Sequence, residues 1–138
     1  MTAKEYLRQY EYAAKRAERC REEYEAELLK VDAVRSLSDN DGMPHGSNIS
    51  KPTEDKAIRL ADKALRWKQA ELDAIEIRSN VFETIYNIPG IEGDVLYQRY
   101  INLHKWEEIC VLLHYSWKGI HIVHRRALNI VEDIIKST

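Results

Sequence analysis

Over residues 1–35, Leu7, Tyr10, Ala14, Ala17, Tyr24, Leu28 and Val31 recur at alternating steps of three and four. Arg21 stands where one more apolar residue would fit. Neither Gly nor Pro occurs before Gly42. That spacing is the narrow apolar stripe of a coiled-coil helix, so the segment predicts one long helix that needs a partner along one face. The segment carries eight Lys/Arg and eight Asp/Glu. Such a balance describes a solvated surface with ion pairs three and four residues apart, and not a basic arm.

Residues 36–53, "SLSDNDGMPHGSNISKPT", break the pattern with Gly42, Gly46, Pro44, Pro52 and a cluster of Ser, Asn and Asp. They predict a flexible loop long enough to reverse the chain. A second long helix is expected to start near Thr53, as its N-cap, with Glu54 and Asp55 at the positive end of the helix dipole. Ile58, Ala61, Leu65, Leu72, Ile75, Phe82 and Tyr86 again follow coiled-coil steps, interrupted at Lys68 and Ser79. Two matched seams predict an antiparallel helical hairpin over 1–88. Because a lone pair of helices buries little, dimerisation into a four-helix bundle is expected, with Trp67 as a dimer contact.

"NIPGIEGD" at 87–94 stops the second helix, because Pro89 removes a backbone donor and Gly90 and Gly93 permit a turn. Beyond it, Asp94 is expected to cap a helix bearing Val95, Leu96, Tyr100, Ile101 and Leu103. A turn over 102–105 and a helix over 106–114 follow. Trp106, Ile109, Cys110 and Leu113 share the inner face of that helix. Ser116 is expected to cap a last helix with Ile120, Val123, Ala127, Leu128, Val131, Ile134 and Ile135 inward. Three helices with short links predict a trihelical module over 89–138. The expected fold is therefore all-α, a coiled-coil-like hairpin followed by this module. Trp117, Lys118, His121, Ile122 and Arg125 are left pointing outward.

The remaining features narrow the chemistry. The chain has 138 residues and a net charge of -2, so nucleic-acid binding would have to come from local patches. Cys20 and Cys110 have no metal-like spacing and are expected to be free thiols in a reducing cytosol. No apolar run approaches the roughly 20 residues of a membrane span. The start "MTAKEYLRQYEY" has charge where a signal peptide would be apolar. The expected location is intracellular, without membrane contact. His104, His114, His121 and His124 have no companion carboxylate or Cys pair for a metal. No Gly-rich phosphate loop and no nucleophile–base set is present, so no enzyme, cofactor or catalytic residue is expected.

"LYQRYINLHKWEEICVLLHYSWKGIHIVHRRAL", residues 96–128, resembles the fourth region of bacterial sigma factors, the helix-turn-helix that reads the promoter -35 element. It is similar also to small phage and prophage regulators of the ArpU and RinA types. Those pair an N-terminal helical segment with such a module. The opening "MTAKEYL", the charged first helix, the central loop, "LYQRYI" and "WEEIC" agree with that group. The resemblance implies a regulator in the bacterial host cytoplasm that binds double-stranded promoter DNA. It places Trp117, Lys118, His121 and Ile122 where bases are read, behind the cap Ser116, with Arg125 and Arg126 toward the phosphate backbone. Segments for promoter melting are lacking, so a complete sigma factor is not implied.

Two features bear on strength. From Pro89 onward there are six Lys/Arg and six Asp/Glu, which limits non-specific affinity. Gly119 falls within the reading helix, where an interior Gly costs about 1 kcal/mol relative to Ala. A second reading therefore stays open: an adaptor or structural protein whose module docks a protein such as RNA polymerase. A positive face around the last helix favours DNA. A hydrophobic patch around Trp117 and Ile122 favours a protein.

Overall fold

The computed structural model of the chain describes residues 1–39 and 51–138. The described residues form helices and no strand: α1 (Ala3–Asp39), α2 (Lys51–Tyr86), α3 (Gly90–Leu96), a π-helical turn (Tyr97–Ile101), α4 (Trp106–Leu113) and α5 (Trp117–Lys136). No helix among these residues is long and apolar enough to cross a membrane.

Both long helices extend past their expected ends. α1 continues to Asp39 and α2 already includes Lys51, so Thr53 lies inside a helix and does not cap it. Of the expected loop, 40–50 lie outside the described residues. The start of α1 is closed by a reciprocal capping box. The Thr2 hydroxyl accepts from the Glu5 amide at 3.2 Å, and the Glu5 carboxylate accepts from the Thr2 amide at 3.0 Å.

The chain divides into two compact units. One comprises Met1–Ala14 and Asp73–Thr138, the other Lys15–Leu72. In the first unit Leu7 of α1 and Val81, Ile85 and Ile88 of the α2 end share one core with Leu96, Tyr100, Ile101, Ala127 and Val131. The trihelical segment thus buries its apolar faces partly on the two long helices. The Ala3 amide donates to the Glu132 carboxylate of α5 at 3.0 Å, and the Tyr6 hydroxyl lies 2.9 Å from the Thr84 hydroxyl.

In the second unit Tyr24 stacks on Trp67, with ring centroids 5.4 Å apart. Trp67 therefore has an aromatic partner in its own chain and stays half-buried. The seam of α1 lies as expected: Leu7 is buried, and Tyr10, Ala14, Ala17, Tyr24, Leu28 and Val31 are half-buried. The seam of α2 does not. Ile58, Ala61, Leu65, Leu72, Ile75 and Tyr86 are exposed, and of the expected set only Phe82 is half-buried. The covered face runs instead through Leu60, Trp67, Ala70, Ala74, Ile77, Val81 and Ile85, and continues to Ile88 just beyond the helix. Its phase follows from the last three, which join the core of the first unit.

α3 starts at Gly90, with Pro89 in the N-cap position, so Asp94 lies inside the helix and does not cap it. Pro89 has no N–H to leave unpaired there. A methyl group on Gly93 would meet the Ile88 carbonyl oxygen at 2.1 Å. Gly93 thus lets α3 fold back against the end of α2.

Candidate nucleic-acid interface

α4 and α5 pack through a second core of Ile109, Ile120, Val123 and Val95. Trp106, Cys110 and Leu113 lie against it, as the apolar spacing predicts. Only His114, Tyr115 and Ser116 separate the helices. His114 takes up the left-handed conformation, with φ 58°, which lets the Tyr115 amide return to the Cys110 carbonyl at 3.0 Å. Ser116 then opens α5. Its hydroxyl accepts from the Gly119 amide at 3.0 Å. Gly119 is therefore in the first turn of α5, not its interior, and a Cβ there would meet the Ser116 Oγ at 3.0 Å.

On α5, Trp117, Lys118, Ile122, Arg125 and Arg126 are exposed. Lys118, Ile122 and Arg125 follow one another by four and three and so share one stripe. Arg126 faces Glu92 of α3 at 3.6 Å, an ion pair that ties it to the module. The exposed Ser116 is engaged in its cap.

His121 is held differently from the expectation of an outward side chain. It is half-buried between two indoles, with centroids 4.7 Å from Trp106 and 4.6 Å from Trp117. Trp117 stays exposed while packing on this ring.

Behind the exposed face lies a polar contact that spacing did not reveal. The Tyr100 hydroxyl lies 2.7 Å from His124 Nε2, and both residues are buried. Burial pushes the Tyr100 phenol up to about 12, against the opposing pull of Arg99 and Arg8. Burial also lowers His124 to about 4, with Lys4, His121 and Arg99 adding repulsion. The pair is thus neutral at pH 7, two uncharged groups joined by a hydrogen bond whose donor is set by the imidazole tautomer.

Among the described residues no group of His, Cys, Asp and Glu is arranged to hold a metal ion. No protein-family model, curated protein or solved structure matches the chain.

Proposed function

We propose that this chain is a small transcription regulator of the phage or prophage type, acting in the bacterial cytoplasm. It binds promoter DNA through α4 and α5 as a helix-turn-helix. The observation that carries the reading is the stripe Lys118, Ile122 and Arg125 on the first turns of a helix capped by Ser116 and braced by α4. A helix so supported can enter a major groove with its N-terminal residues toward base edges. Lys118 and Arg125 offer donors to guanine or phosphate, and Ile122 offers contact with a thymine methyl. Neither cation forms an ion pair with the described residues. Arg126 remains near enough to the same face to meet phosphate once Glu92 releases it.

The long helices supply a dimer. Support comes from the exposed residues Ile58, Leu65 and Leu72, one every seven positions, which is the period of a helix-to-helix seam. A dimer presents two reading helices, so selection from random duplexes is expected to enrich a site of two half-sites. A library that stays flat through repeated rounds contradicts the reading.

One observation favours the second reading, an adaptor that docks a protein such as RNA polymerase. Val111 and Leu112 on α4 and Trp117 and Ile122 on α5 are large, apolar and exposed. Apolar exposure of this kind suits a protein partner better than a phosphate backbone.

A further inference from the structure

A pocket of about 140 Å³ opens in the first unit, lined by Lys4 and Arg8 of α1, Arg99 and Tyr100 of the π-helical turn, Trp106, His121 and His124. One water needs only about 10–15 Å³ of such space, so the pocket has room for a polyatomic ion. Three cations line it and no carboxylate does. Glu11, outside the lining, faces the Arg8 Nε at 3.7 Å and bears on Tyr100.

Several independent features fit an anion. Lys4 forms no hydrogen bond or ion pair with the described residues. Arg99 is fixed in place, donating to the His104 carbonyl at 3.0 Å with its guanidinium 4.9 Å above the Trp106 ring. His121 Nε2 is buried without a hydrogen-bond partner. A buried polar nitrogen in that condition is rare in a folded protein unless something else completes it. Holding like charges together around a recess also costs electrostatic energy, which a bound anion would offset.

The geometry points to a binding site for a phosphate group in this pocket, with Lys4, Arg8 and Arg99 neutralising its charge and His121 Nε2 contributing a hydrogen bond. Guanidinium groups match a tetrahedral oxyanion with paired donors, and lysine adds a point charge. The phosphate has two sources of the same chemistry: a free phosphate or phosphomonoester, or a phosphate of a nucleic-acid backbone. The site stands whether or not α5 reads bases.

The test uses the full chain and inorganic phosphate, with chloride adjusted to hold ionic strength constant. Calorimetry is expected to show saturable binding of one phosphate per chain, weakened about tenfold or more by Lys4→Ala/Arg8→Ala. Neither substitution removes a core side chain. Lys136→Ala, an exposed cation on the last turn of α5, is expected to bind as the parent does. The same proteins are then titrated with duplex DNA at several salt concentrations. If the site serves a backbone phosphate, Lys4→Ala/Arg8→Ala weakens DNA binding and flattens its salt dependence, and free phosphate competes. If it serves free phosphate, DNA binding is unchanged while phosphate binding falls. The inference is overturned if the double variant matches the parent in both titrations, or if phosphate gives no more heat than chloride and DNA binding is unaffected. Loss of DNA binding through Lys118→Glu/Arg125→Glu, with phosphate binding intact, separates this site from the reading helix.

Discussion

The Tyr100 hydroxyl and His124 Nε2, 2.7 Å apart, join the π-helical turn to α5 beneath the exposed face of the module. Removing the hydroxyl by Tyr100→Phe leaves the buried nitrogen without its partner. The expected loss is about 1–2 kcal/mol in urea unfolding at neutral pH.

The same pair makes stability depend on pH in a defined window. His124 takes up a proton near pH 4 in the folded state, against 6.5 for the ordinary side chain. Its lowered value means the unfolded chain protonates first. The contribution is therefore complete above about pH 6.5, falls as pH drops toward about 4, and is level below that. Water reaching the pocket moderates the effect, and about 2 kcal/mol is expected across the window. His124→Gln retains a polar partner for Tyr100 and is expected to flatten this part of the profile. Identical profiles for variant and parent contradict the assignment.

Gly93 and the Ile88 carbonyl set the angle at which α3 leaves α2. Gly93→Ala must move backbone, because the added Cβ would sit 2.1 Å from that oxygen. A loss of about 2 kcal/mol or more is expected, read as a fall in thermal midpoint.

The corner between α4 and α5 offers two changes of opposite sign. His114 holds a left-handed backbone that Gly adopts without steric cost, so His114→Gly is expected to stabilise by about 1 kcal/mol. Ser116→Ala removes the cap on the Gly119 amide and is expected to cost about 1 kcal/mol. Chemical denaturation of both variants checks the signs.

The proposed dimer seam gives a separable test. Leu65 is 68% exposed, so Leu65→Asp is expected to leave the fold of the chain intact. Its effect should appear in sedimentation equilibrium, as a shift from dimer toward monomer. A parent chain that sediments as a monomer at high concentration rules the seam out.

The last two helices were legible because strong signals coincide there. Ser116 precedes a run in which Ile120, Val123, Ala127 and Val131 repeat by three and four, and all four are buried. On α2 the spacing points to the exposed face, because two apolar stripes run along the helix. The one with larger side chains, Ile58, Leu65 and Leu72, is exposed, while Ala70 and Ala74 are buried. Periodicity alone does not say which stripe meets a partner. The contacts of Val81, Ile85 and Ile88 with distant helices decide it. The capping box at Thr2 and Glu5 is legible in the sequence as Thr-x-x-Glu. The left-handed His114 carried no signal, since Gly or Asn is the usual marker of that geometry. The Tyr100–His124 bond and the cationic pocket join residues from segments far apart in the chain, which no local pattern discloses.

The most direct test of the central claim is fluorescence anisotropy of the full chain with duplex DNA from upstream of the neighbouring genes. It is run at low and moderate salt beside a scrambled duplex. The parent is expected to bind saturably and to prefer the native sequence. Lys118→Glu/Arg125→Glu is expected to lose that binding while keeping the parent's thermal midpoint. Folded protein that shows no binding even at low salt contradicts the claim, as does a double variant that binds like the parent.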